Sequence, residues 1–249
     1  MSFKKWSFLI LTLSLVMGVG ACKMDSARLA DAGLGLAAAA TISDADLIKE
    51  SRQMRAIGDR QNKVAPSNNK YAIRLAKLIR GLQNEGGLDL NFKVYITNDI
   101  NANATPDGSI RVYSGIMDLM TDDELFFILG HEIGHVKNGD AMDAMRVAYS
   151  AAAGRSGVAA AGGTVAALSD SVLGDILETV VNAQFSQSQE SASDLYGYQM
   201  MLKYKRNPQA AVTALQKLDS LGSSGGMFAS HPNSADRANA IAQMIKTGK

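Results

Sequence analysis

Two of this chain's three histidines, His131 and His135, stand four residues apart in ELFFILGHEIGHVKNGD, with Glu132 between them. On an α-helix four residues advance about 400°, so both imidazoles leave the same face one turn apart. From there both can reach one metal ion. Glu132, about 100° further round, flanks that ion without being forced to ligate it. Its carboxylate can then take a proton from a water whose pKa the ion lowers towards about 7, which is the use metalloproteases make of H-E-x-x-H on a helix. The plainer alternative is a helix whose histidines and glutamate only satisfy one another. An unpaired charge in the middle of an apolar helix is expensive, and this weighs towards the metal.

A catalytic zinc takes three protein ligands and keeps one position open. The third ligand is therefore His231, the remaining histidine, or a downstream carboxylate. Glu190 and Asp194, four apart in SQSQESASDLYGY, allow one acid to ligate while the other hydrogen-bonds a ligand histidine. Gly130 and Gly134, also four apart, would let a second element approach beside the motif.

The elements around these residues are marked locally. Thr121 to Glu124 forms a capping box with acids in the first turn, and Lys137, Asn138 and Gly139 are stop signals, so the motif lies on a helix of about 17 residues. Ser43-Asp44-Ala45-Asp46 starts an earlier helix of about 15 residues. Pro66-Ser67 starts another, which carries Tyr71, Leu75, Leu78, Ile79 and Leu82 and ends at Gly86-Gly87. FKVYIT (92–97) and SIRVYS (109–114) alternate and are rich in β-formers, so they predict two strands of a small sheet. Downstream, a long helical stretch runs from about Ser171 to Tyr204, and Asn207-Pro208 begins a further helix through Leu221. GSSGG is a loop, and Asn233 is the N-cap of a last helix with Asp236 in its first turn. Residues 147–168 hold nine alanines, four glycines and one charge. They read as a flap, mobile or partly helical, rather than a spanning helix, since Ala and Gly are weakly apolar.

Lys4 and Lys5 precede the apolar stretch Phe8–Val19, and Val19-Gly20-Ala21-Cys22 follows. This is the pattern of a secretory leader over residues 1–21, and its end resembles the lipobox of bacterial lipoproteins. That likeness implies lipidation, palmitate included, at Cys22, a tether over 22–42 and a catalytic domain over 43–249. Lys23 after the cysteine implies sorting to the outer membrane, facing the periplasm. One cysteine excludes an internal disulfide. Without residues 1–21 the chain has 23 basic and 24 acidic residues, because the leader holds two lysines and no acid. No basic stripe interleaved with aromatics is present, so nucleic acid is not an expected partner.

H-E-x-x-H followed by E-x-x-x-D on a later helix is similar to the gluzincin pattern. From about residue 45 the chain resembles the HtpX-type metallopeptidases, a family that also takes in the CAAX prenyl proteases. The stretches that carry the likeness are DINA, GSIRVYSGIMDLMTDDE, GHEIGHV, QFSQSQE and HPNSADR. The resemblance implies an α+β, predominantly helical, zincin-like (minigluzincin) domain with a small β-sheet and one Zn2+ per chain. Zinc would be held by His131, His135 and Glu190, with Asp194 behind them and Glu132 as general base and acid. His231 would donate to the oxyanion, while Asn101 and Ala102 on an edge strand, with Arg237, would meet the substrate. Ser193 stands where the family commonly has alanine. The implied activity is a zinc metalloendopeptidase acting on unfolded or misassembled envelope polypeptides, with outer-membrane assembly machinery as a further partner. A competing reading is an assembly chaperone or scaffold lipoprotein with a mainly structural zinc, against which the intact Glu132 argues.

Overall fold

The structure is a computed structural model that describes residues 42–156, 168–222 and 226–248. The leader, Cys22 and the tether as far as residue 41 lie outside the described residues. In order along the chain, the elements are α1 (Asp44–Gln61), α2 (Lys70–Leu78), β1 (Asn91–Tyr95), β2 (Ala102–Ala104), β3 (Ser109–Tyr113), α3 (Ser114–Leu119) and α4 (Asp122–Lys137). There follow α5 (Asp140–Ser156), α6 (Asp170–Val181), α7 (Gln187–Lys203), α8 (Gln209–Ser220), α9 (Met227–Ser230) and α10 (Ser234–Thr247). The architecture is thus predominantly helical around one small sheet. Residues 147–156 of the Ala/Gly-rich segment are helical as the end of α5, and 157–167 lie outside the described residues. Among the described residues no helix is long and apolar enough to cross a membrane.

The sheet has the order β1-β3-β2, with β1 parallel and β2 antiparallel to β3. Residues 63–65 close the far side of β1: Ala65 N–H donates to the Val94 carbonyl and Ile96 N–H to that of Lys63. β2 is therefore the sheet's edge. The two faces of the sheet differ sharply, as the period-2 alternation of strands allows. Val94, Ala102, Ile110 and Val112 enter the main core with Leu125, Phe126, Phe127 and Leu129 of α4. Lys93, Tyr95, Asn103, Thr105 and Arg111 turn to α1 instead, where they meet Arg55 and Asp59. Helix α1 joins α5 and α6 in a separate apolar cluster built on Leu47, Met54, Met145, Tyr149, Leu173 and Ile176.

Several local expectations meet corrections. The stretch 171–204 is two helices, because Asn182 ends α6 and Ser186 opens α7 with a second capping box to Gln189. Asn233 is the N-cap of α10 through its left-handed backbone (φ 63°), and its side chain caps nothing. The helix expected from Pro66 begins at Lys70, capped by the Asn69 side chain.

Candidate metal centre

The capping box of α4 forms in full, with Thr121 accepting from the Glu124 backbone and Glu124 accepting from that of Thr121. Along the rest of the helix, α7 packs at unusually short range. A Cβ on Gly130 would lie 2.9 Å from Gly197 Cα, and one on Gly134 would lie 2.9 Å from Ser193 Cα. Only glycine at these two positions lets the backbones meet so closely. This approach carries Glu190 and Asp194, one turn apart on α7, to the two histidines of α4.

Behind the histidines stand two carboxylates. His131 Nδ1 lies 3.0 Å from Asp194 Oδ1, and His135 Nδ1 lies 2.9 Å from Asp140 Oδ2. In the neutral imidazoles Nδ1–H donates there, which leaves both Nε2 atoms as acceptors. Those two atoms face one another at 3.0 Å, and Glu190 oxygens lie 3.6 Å and 3.4 Å from them. Lone pairs converging at this range repel unless a cation lies among them. Two imidazole nitrogens and a carboxylate oxygen are the donor types zinc prefers, so the residues fit the ion.

His231 belongs to the same cluster. One ligand atom from each of His131, His135, Glu190 and His231 lies within 4.8 Å of the others. His231 Nδ1 is 2.9 Å from Glu190 Oε1 and 3.1 Å from His131 Nε2, while its Nε2 is 3.7 Å from Glu132 Oε1. Its Nδ1 thus faces Glu190 at the centre, and its Nε2 is turned towards Glu132. Arg237 is 5% exposed and forks onto Asp194, with Nε and Nη2 each at 2.7 Å. Its Nη1 also lies 2.6 Å from Glu190 Oε2, a contact of charges without hydrogen-bond alignment, since that oxygen accepts no hydrogen bond. The guanidinium that the resemblance assigns to the substrate is thus engaged with the two acids of α7. Asn101 and Ala102 lie at the head of the edge strand, both buried.

The electrostatics follow from burial and from these partners. Burial pushes the Glu132 carboxyl up, and its Oε1 has no hydrogen-bond partner. Burial pushes His131 and His231 down, which favours neutral imidazole. Burial would raise Asp194, but hydrogen bonds from Arg237 and His131 hold it down at about 2. Burial would raise Glu190 too, yet the imidazoles of His135 and His231 beside it hold it well below the usual carboxylate range. His135 is pushed up to about 9: burial opposes the shift, and Asp140 and Glu190 outweigh it. A cluster that draws a proton onto one histidine is a cluster short of positive charge.

Two residues of the site carry no sequence signal strong enough to single them out. Asp140 reaches back to His135 because Gly139, at φ 86°, reverses the chain between α4 and α5. Phe185, between α6 and α7, stacks on the His135 ring at 4.0 Å and 20°, and its N–H donates to the Ser230 carbonyl. Residues 185 and 230 thus meet over the histidines. His131, Glu132, His135, Glu190 and His231 are each at most 3% exposed.

With this geometry in place, the comparisons agree with it. The model of Peptidase family M48 matches residues 69–245. The chain is 40% identical over 229 residues to the metalloprotease YcaL of Escherichia coli (strain K12), covering 91% of this chain and 90% of that one. It is 40% identical over 237 residues to the metalloprotease LoiP of the same organism, covering 94% of each. A protease HtpX homolog of Trichormus variabilis is 23% identical over 227 residues, 73% of this chain and 77% of the relative.

Proposed function

The chain belongs to peptidase family M48 and is a zinc metalloprotease, and from that premise we propose that it is an endopeptidase for unfolded polypeptides of the bacterial envelope. The observation that carries this reading is the convergence of His131, His135 and Glu190 beside a buried carboxylate, Glu132, that has an unpartnered oxygen. Zinc held there would supply Lewis acidity to the attacking water and to the scissile carbonyl.

The chain's own groups do the rest. His131, His135 and Glu190 would hold the ion, with Asp194 and Asp140 fixing the ring orientations. Glu132 accepts the proton of the attacking water at Oε1 and returns it to the leaving amine nitrogen. His231 stands within reach of Glu132 and can donate to the oxyanion once a substrate carbonyl separates it from Glu190. The antiparallel register aims the backbone groups of Asn103 at β3, so those of Ala102 and Ala104 point to the free edge, where an extended peptide can pair.

The basic residues, apolar run and Cys22 at the start of the chain support a periplasm-facing, lipid-anchored enzyme of the outer membrane. Incorporation of labelled palmitate, lost in Cys22→Ser, tests the anchor. The activity itself is tested with purified zinc-loaded protein and casein. Glu132→Gln keeps its zinc and cleaves about 10²–10⁴-fold more slowly. Equal rates for the two proteins would instead support the scaffold reading.

A further inference from the structure

A groove of about 730 Å³ runs between α1, α6 and the head of β2, away from the histidines. Arg55 of α1 and Tyr113 of β3 line it where that helix meets the sheet, with Asn101 at the edge strand and Gly174 on α6. Arg55 is only 3% exposed. Its guanidinium donates to Asn103 Oδ1 at 2.9 Å and to Thr105 Oγ1, all neutral acceptors, and among the described residues no carboxylate lies within ion-pair distance. Asp107 is one hydroxyl removed, accepting from Thr105 at 2.7 Å. A buried cation with no carboxylate in direct contact is costly, and Asp107 attracts Arg55 only from that remove. The Asn103 amide also donates to the Tyr113 hydroxyl, at 3.5 Å, and so links the two donors. Beside them, Asn101 Oδ1 is buried with no hydrogen-bond partner.

The placement relative to β2 gives these groups a use. An extended peptide paired along the edge strand alternates its side chains between the two sides of the sheet. One set would meet the α4 side, and the other the groove. We propose that the groove is a substrate subsite in which Arg55, with the Tyr113 hydroxyl, binds a carboxylate of the polypeptide. The carboxylate is either an Asp or Glu side chain or the free C-terminus. Asp99, Asp175 and Glu178 also line the groove, at its exposed rim, where water and salt screen them. They disfavour a run of acids and suit a single acid with a basic residue nearby.

This inference rests on the peptidase reading, and the test separates the two. The probes are unstructured peptides, identical except for Glu or Gln at successive positions and for a C-terminal acid or amide. Affinity is measured on zinc-loaded Glu132→Gln protein, and turnover on the wild type. The expected result is roughly tenfold tighter binding of the acid form, confined to one position and absent at its immediate neighbours, or confined to the terminal acid. Arg55→Gln removes the preference. A Cβ on Gly174 would meet nothing nearer than Gln61 Nε2 at 3.8 Å, and a side chain there favours the helix. Gly174→Glu should therefore fold normally and weaken the preference, and Gly174→Lys strengthen it. Equal affinity for acid and amide forms throughout, or a preference indifferent to the Gly174 variants, overturns the subsite and leaves hydrolysis standing. Selective binding with no turnover by the wild type sinks the peptidase reading and leaves the subsite.

Discussion

Two clusters of charge, one partly buried around Asp59 and one fully buried around Glu190, differ in whether they are complete. On the α1 side of the sheet, Asp59 receives Arg111 Nε at 2.8 Å, Arg111 Nη2 at 3.0 Å, and Lys93 and the Tyr95 hydroxyl at 2.7 Å each. Both oxygens are served, and its carboxyl is held well below the usual range despite burial. On the α4 side, two imidazole nitrogens face one another, and Glu190 Oε2 and Glu132 Oε1 accept no hydrogen bond. A network whose donors and acceptors balance is a strut between α1 and the sheet. A network short of one cation is a site, because its stability depends on something the chain must bind.

The contrast can be broken most severely at Glu190. Glu190→Ala should lose its zinc on dialysis, whereas Asp59→Ala should keep it, as metal analysis of the two proteins would show. If both lose zinc, the clusters are not independent. Next in size is the strut itself. Asp59→Ala leaves Arg111 buried without its partner and should cost about 3–5 kcal/mol in denaturant unfolding; a change within error would mean that water replaces the carboxylate. Smaller still is Asp140→Ala, expected to weaken zinc about 10–100-fold by freeing the His135 ring, read in competition with a chelating dye. The smallest effect is on pH. Glu124 and Asp194 are each held at about 2 in the folded chain, below their ordinary values. Folding therefore lowers both pKa values, and the stability they contribute is present above about pH 5 and lost as pH falls towards 2. Thermal unfolding of Glu124→Gln between pH 5 and 2 should be flatter than that of the wild type.

The sequence made one of these clusters legible and hid the other. His131, Glu132 and His135 are joined by a single helical turn, and the capping box that places them is equally local. Glu190 and Asp194 are far along the chain but share the same four-residue spacing, so the pairing of α4 with α7 could be read through Gly130 and Gly134. Asp59, Lys93 and Arg111 have no such grammar, since the strut joins residues 34 and 52 positions apart through a fold no local pattern specifies. Three-residue β2 is too short for alternation to announce it; the likeness to HtpX-type peptidases, and not periodicity, pointed to Asn101 and Ala102. The break between α6 and α7 was readable in Ser186 and Gln189, a capping box concealed inside a polar run. Asp140 had a weaker sign, an acid just past the glycine that ends the motif's helix.

The central claim is that the histidine cluster is incomplete without a divalent cation. The most direct measurement is thermal unfolding of the chelator-stripped protein with and without one equivalent of zinc, alongside metal analysis. The expected result is one zinc per chain and a transition that rises when zinc is returned, with no rise in Glu190→Ala. A wild-type protein that takes up no zinc, or unfolds at the same temperature with and without it, would mean that the histidine cluster is complete without the ion.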